Sequence, residues 1–507
     1  MPESRFTLAP ADTHNIALSD NVHPSDWTNP TPKGRYHLVV VGGGTAGLVS
    51  AAGAAGLGAR VALIERNLLG GDCLNVGCVP SKGIISAARA WKTARTAAPD
   101  FGGPTVSGDG DFAFAMERMR RLRAGIGPHD SAARFRDLGI DVYFGSGTFT
   151  GDDSIEVEGQ RLSFRRAVIA TGARASALPI PGLAEAGFHT NETIFSLTEL
   201  PKRLAVIGAG PIGCELAQAF ARLGSQVTLL DRSPHILPRE DPDAAAVVST
   251  ALGCDGVDFL GDSSILRVEK TASGRRVHFR RDESEDSVEI DELLVAIGRT
   301  PNVDGLGLEV ASVDFDPRKG VAVNERLQTT NKRIYACGDI ASRYQFTHAA
   351  DAQARIVIQN ALFYGRAQAD KLIIPWCTYT SPEIAHVGLY PHEAASKGIE
   401  IDTVRVDMSE VDRAILDGEN DGFLAVHLKK GKDEILGATL VASHAGDLIS
   451  EVVLAMTAGI GLGKIASVIH PYPTQGEVLK KAADTWRRTK LTPTVRRIFQ
   501  YWFRATG

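Results

Sequence analysis

The sharpest chemistry in this 507-residue chain lies in the stretch Gly70-Gly71-Asp72-Cys73-Leu74-Asn75-Val76-Gly77-Cys78-Val79-Pro80-Ser81-Lys82. Four residues separate Cys73 from Cys78, and a Pro-Ser-Lys helix start follows. One helical turn brings two such sulfurs close enough to close a disulfide or to hold a soft metal ion between two thiolates. The remaining cysteines, Cys214, Cys254, Cys337 and Cys377, are scattered and are expected to be buried small apolar residues. A secreted disulfide framework would use more cysteines in a much shorter chain, so the close pair predicts redox or metal chemistry.

A redox pair needs an electron supply, and the elements upstream provide for one. Tyr36-His37-Leu38-Val39-Val40-Val41 is an apolar, β-branched run of the kind that forms a buried parallel strand. It leads into Gly42-Gly43-Gly44-Thr45-Ala46-Gly47, an Ala/Gly-rich helix, and a second strand ending in Glu65. Gly42 permits the tight turn, Gly44 lets the backbone approach a pyrophosphate, and Gly47 allows close helix–strand packing. The helix N-terminus suits the phosphates, and Glu65 stands where a carboxylate accepts hydrogen bonds from an adenosine ribose. The same pattern returns 166 residues later, with Gly208, Gly210 and Gly213 and the acid Asp231. Two such units predict two different dinucleotides bound at once. Asp231 favours a free 2′-hydroxyl and NADH, whereas Arg232 and Arg239 suit the 2′-phosphate of NADPH; the balance leans to NADH.

The totals agree with a nucleotide-binding α/β protein. The chain is 44% hydrophobic with 52 glycines, long enough for two to four domains. A formal net charge of −5 argues against nucleic acid as a partner. The N-terminus lacks the apolar core of a signal peptide, and no apolar run is long enough to span a bilayer, so a cytoplasmic location is expected.

In order, residues 1–34 form a polar arm without cysteine, and residues 35–190 the first part of the first dinucleotide domain. Residues 191–310 form the second dinucleotide domain, and residues 311–374 return to the first. Residues 375–507 form a separate α+β domain, in which 421–428 and 434–441 are expected to be antiparallel strands. Within the first domain, residues 83–138 are expected to be helical, with the arginine-rich run Met116–Arg123 as a solvated helix face. The tail from Lys480 is basic and aromatic, with Trp486, Arg496, Arg497, Tyr501 and Trp502. Packing on a dimer surface is favoured for it over lying on an anionic membrane.

Further motifs complete a family pattern: Ala170-Thr171-Gly172, Gly298-Arg299-Thr300-Pro301-Asn302 and Ala336-Cys337-Gly338-Asp339. With the fingerprints and the cysteine stretch, these make residues 35–490 resemble the flavoprotein disulfide reductases, which include dihydrolipoamide dehydrogenase, glutathione reductase and mercuric reductase. The resemblance implies two Rossmann-like dinucleotide-binding domains, for FAD and for NADH or NADPH, plus a C-terminal α+β dimerisation domain. It implies that Asp339, Thr347 and His348 lie along the flavin, that Gly147 approaches its adenine end, and that Ala170, Thr171, Gly172 and Gly298 belong to the cofactor sites. Lys82 would sit beside the flavin and pair with Glu215. Electrons would pass from nicotinamide to flavin to the cysteines, with Cys78 as the thiolate next to the flavin and Cys73 as the outer sulfur that meets the substrate. The active site would be shared across a homodimer.

One departure bears on the substrate. The family's disulfide reductases place a proton-shuttling histidine and a glutamate near the C-terminus. Here the segment is His470-Pro471-Tyr472-Pro473-Thr474-Gln475-Gly476-Glu477. Aligned on Pro473-Thr474 and Glu477, Tyr472 takes the histidine's place and His470 falls two residues earlier. Tyrosine, with an ordinary pKa of about 10, is a poor shuttle at neutral pH. Mercuric reductase also carries a tyrosine there, since an ion held by thiolates needs no such shuttle. The expected acceptor is therefore a thiophilic metal ion, held transiently by Cys73 and Cys78, or a small thiol-reactive molecule. Mercuric reductases also carry a C-terminal cysteine pair, and no cysteine follows Cys377 here. Pro211 stands where some relatives have a gating tyrosine. The alternatives are a dihydrolipoamide dehydrogenase or small-disulfide reductase using His470, and a redox-sensing flavoprotein whose tail recruits a partner.

Overall fold

Every side chain of Tyr36–Val41 except His37 is buried, and this run forms strand β1. The structure, a computed structural model, describes residues 8–176 and 179–507. Strand β1 pairs in parallel with β2 (Val61–Glu65), Val40 facing Leu63, and with Gln160–Ile169, Val40 facing Val168. Strand β3 (Ile140–Phe144) lies beyond β2, and Ile334–Ala336 pairs with Gln160–Ile169. Two antiparallel strands, Ser154–Val157 and Thr148–Gly151, complete a seven-stranded sheet. Helix α1 precedes β1 (Thr13–Val22), and helix α2 follows it (Thr45–Gly56). The second fingerprint has a smaller version of this frame. Arg203–Ile207 pairs in parallel with Gln226–Leu230 and with Glu292–Val295.

The chain falls into two units. One holds residues 1–208, 219–232 and 262–372; the other holds 209–218, 233–261 and 373–507. The second unit is built on five antiparallel strands in the order Pro375–Thr378, Glu383–Gly388, Ile435–Ala442, Phe423–Lys429, Ile401–Asp407. The two strands expected here are adjacent, with Val426 facing Ala438. Helices Ala445–Thr457 and Glu477–Thr489 bury Ile449, Val452, Val478 and Leu479 against Leu424, Val426 and Leu440. Each such side chain taken out of water contributes about 1.5–3 kcal/mol. The last helix, Pro493–Thr506, buries none of its residues in this chain, and Tyr501, Trp502 and Phe503 are exposed. Among the described residues, no helix is long and apolar enough to cross a membrane.

The described part of the N-terminal arm packs on the body. Asp12 caps α1 by accepting from the Asn15 N–H at 2.8 Å. Leu18 and Val22 are fully buried in the same core as Leu63, Leu69 and Leu74. Further along, Asn29 exchanges two 2.8 Å hydrogen bonds with the backbone of Phe144, and the Trp27 indole donates to the Val142 carbonyl at 3.1 Å. The arm thereby covers the free edge of β3, which would otherwise offer unpaired backbone groups.

Two sequence expectations need correcting. The helix Phe112–Ile126 exposes Arg121 but buries Arg120 and Arg123, so its arginine run is not a solvated face. Met116, Met119, Arg120 and Arg123 follow i, i+3, i+4, i+7 spacing and share the inward stripe. Arg120 pairs with Asp12; burial, with Arg120 beside it, pushes the Arg123 guanidinium down to about 10. Of the four other cysteines, Cys214 and Cys337 are buried as expected, but Cys254 is exposed and Cys377 only half-buried. Burial pushes the Cys337 thiol up to about 12, out of range for neutral-pH chemistry.

Candidate active site

The cysteine stretch is docked on the first glycine fingerprint. Gly70 donates its N–H to the Gly43 carbonyl at 2.8 Å. Gly71 has φ +57°, and a Cβ there would lie 2.7 Å from the Gly44 Cα. Gly71 is thus required by contact with the fingerprint, whereas a Cβ on Gly70, which has φ +90°, would meet Leu74. Gly71→Ala is expected to lower stability by about 2 kcal/mol, from left-handed strain and backbone collision, measured by thermal unfolding.

The two cysteines do not share one helix. Cys73 lies in the short helix α3 (Gly71–Asn75); the chain breaks at Val76 and Gly77, and Cys78 is the first residue of α4 (Cys78–Lys92). The Asn75 amide ties the stretch together, donating to the Leu69 and Gly71 carbonyls at 3.0 and 2.9 Å. Both cysteines are free thiols; Cys73 is half-buried and Cys78 exposed.

The Cys78 sulfur lies 3.4 Å from the Thr347 hydroxyl, the first residue of the helix Thr347–Phe363. Two helix N-termini therefore meet at this sulfur. Neither has a side-chain cap or an acid in its first turn, and their positive ends favour a thiolate. The Cys73 thiol is held well above the usual thiol range, first by its hydrogen bond to Cys78 and then by burial. The two sulfurs therefore differ in surroundings, Cys73 half-buried and Cys78 exposed at the helix N-termini.

Arg299 belongs to a motif whose sequence assigns its charge no role, and the structure gives it one. Its guanidinium pairs with Asp72, next to Cys73, donates to the Ala173 carbonyl at 2.6 Å, and forms a 3.3 Å ion pair with Asp339. Asn302 accepts the Thr171 hydroxyl's hydrogen bond at its carbonyl and donates its amide to the Thr171 carbonyl, both at 2.9 Å. Short strands Ala173–Ala175 and Arg299–Pro301 pair antiparallel beside these contacts. Four motifs far apart in the chain thus meet around one largely buried arginine.

The family model for pyridine nucleotide-disulphide oxidoreductases matches residues 36–354, and the model for that family's dimerisation domain matches residues 374–483. This chain belongs to that family. The mercuric reductase of Lysinibacillus sphaericus is 34% identical over 451 residues, covering 89% of this chain and 82% of that protein. The dihydrolipoyl dehydrogenase of Bacillus subtilis (strain 168) is 31% identical over 468 residues, covering 88% of this chain and 97% of that protein. Among solved structures, the Cu(II) complex of the HOCl-induced flavoprotein disulfide reductase RclA from Escherichia coli superposes with a TM-score of 0.79. It is 29% identical and covers 89% of this chain and 100% of that one.

This pyridine nucleotide-disulphide oxidoreductase is an NAD(P)H-dependent flavoprotein with FAD and NAD(P)H as cofactors. Its residues fit both groups. Gly42 has φ +108° and backs onto Ala170, whose carbonyl a Cβ would meet at 2.3 Å; Gly208 has φ +108° and backs onto Ala296 in the same way, at 2.5 Å. Nothing lies within 4 Å of a Cβ built on Gly210, which leaves room for a phosphate. The Glu65 carboxylate, raised by burial, accepts from the Gly43 and Asn67 N–H groups at 2.6 and 2.7 Å. A half-buried acid beside the fingerprint turn suits ribose hydroxyls. Asp339 is likewise raised by burial, with Arg299 opposing. Gly147 fits closely against Ile64 and Val41, and the exposed His348 ring stacks on Phe346.

In the second unit, Tyr472 is exposed and its hydroxyl donates to Asp412 at 2.9 Å, an interaction that raises its pKa. His470 behaves differently. Its side chain is 8% exposed and bonds to both carboxylate oxygens of Glu451, at 3.0 and 3.2 Å. Glu477 begins the helix Glu477–Thr489. Buried Glu215 accepts from the Tyr379 N–H at 2.9 Å. Lys82 lies in α4 of the first unit, and Asp231 follows the strand Gln226–Leu230. Both Arg232 and Arg239 are exposed. Among the described residues no cluster of three or more His, Cys, Asp or Glu side chains could hold a metal ion.

Proposed function

We propose that this enzyme passes electrons from NAD(P)H through Cys73 and Cys78 to a thiophilic metal ion or a small thiol-reactive acceptor. The observation that carries this reading is the pairing of Tyr472 with Asp412 while His470 is committed to Glu451. The mercuric reductase relatives and the RclA structure captured with Cu(II) support it.

FAD bound at the first fingerprint would supply the route for a hydride from the nicotinamide and an electron pair for the disulfide. No net proton is taken up there: NAD(P)H and the Cys73–Cys78 disulfide give NAD(P)⁺, one thiol and one thiolate. Cys78, at two helix N-termini, is placed to hold the thiolate, and Cys73 to hold the proton and meet the acceptor. An ordinary disulfide acceptor must itself be protonated as it leaves, which calls for an acid–base group titrating near pH 7. Tyr472, raised further by Asp412, does not titrate there. A metal ion imposes no such demand. Binding it displaces the one remaining thiol proton, and the electron pair then enters the ion, so a divalent ion reduced to the metal releases one proton per NAD(P)H overall. The dimerisation domain supports a homodimer in which the Tyr472 segment faces the cysteines of a second copy. Lys82 and Glu215 are assigned to the flavin side, as in the family.

The test is NAD(P)H oxidation by the purified protein with Hg(II), Cu(II), lipoamide and oxidised glutathione, each with both nicotinamides. Faster oxidation with the metal ions is expected, and stimulation by disulfides alone would sink the proposal. Tyr472→Phe is expected to leave metal-dependent turnover within about twofold, and Tyr472→His to raise disulfide turnover at least about tenfold, since a matched acid–base group is worth more than that. Loss of metal-dependent turnover in Tyr472→Phe would show that the hydroxyl has a role in the reaction.

A further inference from the structure

We infer that the N-terminal arm is a positioning element of the reaction centre, holding the Cys73 loop through Asn15 and Arg123. This rests on the reading of Cys73–Cys78 as the reactive pair. Residues 8–35 precede the segment matched by the family model, which begins at residue 36, so the device is additional to the family's common core.

The link is continuous. Arg123, 1% exposed, donates one Nη to the carbonyl of Asn75, the last residue of α3, and the other to the Asn15 side-chain oxygen at 2.6 Å. Asn15, itself buried, is fixed by donating to the Pro10 carbonyl at 2.8 Å. Arg120, one turn earlier, pairs with Asp12, the cap of α1. Two further contacts reach the same loop. Leu69 donates its N–H to the Val22 carbonyl at 3.1 Å, and the His23 ring bonds the Asn67 carbonyl. The arm thus grips residues 67–75 at three points, and Asn75 in turn holds Leu69 and Gly71.

These side chains act through the backbone that carries Cys73. Disulfide closure needs the two Cβ atoms about 3.8 Å apart in a narrow dihedral range, so it is sensitive to the placement of α3. A buried guanidinium is a stiff support only while its acceptors are in place. Without Asn15, Arg123 loses one of its two acceptors, and its Nε is already without a partner.

The experiment times closure of the reduced holoenzyme pair by oxidised glutathione, one equivalent yielding the Cys73–Cys78 disulfide and two glutathione thiols. Free thiols are counted by alkylation and mass spectrometry. Asn15→Leu keeps the volume and loses the acceptor, and closure is expected to slow about tenfold. Asn15→Asp keeps the acceptor and is expected to close within about twofold of wild type. Equal rates in wild type and Asn15→Leu overturn the inference, as does an Asn15→Asp rate no better than that of Asn15→Leu. If Asn15→Leu fails to fold or loses FAD, Asp12→Asn carries the test, because it releases Arg120 while preserving the helix cap. Slower closure in that folded variant is expected, and an unchanged rate overturns the inference. A wild-type pair that closes neither with oxidised glutathione nor with two equivalents of Cu(II), each taking one electron as two thiol protons leave, overturns the proposed function instead, and the inference with it.

Discussion

Replacing Cys78 with serine is expected to lower acceptor turnover by at least about a thousandfold while the protein stays folded. A hydroxyl cannot close a disulfide, and Cys73 alone cannot carry an electron pair, so losing either sulfur removes a unit of the machinery rather than a contribution to it. Cys78 stands where two helix N-termini meet, with Thr347 3.4 Å from its sulfur. It is exposed, so the change of one atom is expected to alter stability by less than about 0.5 kcal/mol. The measurement is steady-state NAD(P)H oxidation with Hg(II) or Cu(II), alongside a quinone whose reduction needs no sulfur. Quinone reduction is expected to persist in the variant. Unchanged metal-dependent turnover would remove the pair from the reaction.

The second large effect is expected from Arg299→Met. The side chain is 16% exposed and stands between the carboxylates of Asp72 and Asp339. Removing one partner of a buried ion pair leaves the others uncompensated, at a cost of about 3 kcal/mol or more; partial exposure of Asp72 keeps the figure at the low end. The pH dependence has a definite sign. Without Arg299, burial raises the folded-state pKa of Asp339 further above its unfolded value. The folded state then holds a proton that the unfolded state releases, so stability is lost as pH rises above the unfolded value of about 4. The deficit of the variant is therefore expected to be large at pH 7 and to shrink towards pH 4. Paired unfolding curves across that range decide it, and a deficit that grows on acidification would contradict this account. Because Asp72 adjoins Cys73, the variant is also expected to lose turnover, an effect the pH series separates from instability.

These two residues differ in how visible they were from sequence. Cys78 announced itself by residue type, spacing and a helix start five positions after its partner. Arg299 sat inside a recognised motif, yet nothing local said what its charge was for. Arg120 and Arg123 read as solvated for a related reason: their spacing matches the buried stripe of Met116 and Met119, but charge argues the other way. The partners that make burial tolerable, Asp12, Asn15 and Asn75, lie 48 to 108 residues away. His470 illustrates the converse. Sequence placed it near the reactive segment, and only the fold showed that its Nε2 is held by Glu451.

What the sequence determined by itself was the local machinery: two strand–glycine–helix turns, a thiol pair, a tyrosine in a histidine's place. Such features are set by backbone conformation and chemistry within a few residues, so they leave spacing and residue type as marks. The tertiary structure alone decided what supports that machinery. Arg299 meets Asp72 across 227 positions, and Cys78 meets Thr347 across 269. Contacts of that reach follow no period along the chain, because they are fixed by how sheets and helices stack. The support for the cysteines, unlike the cysteines themselves, could be read only from the fold.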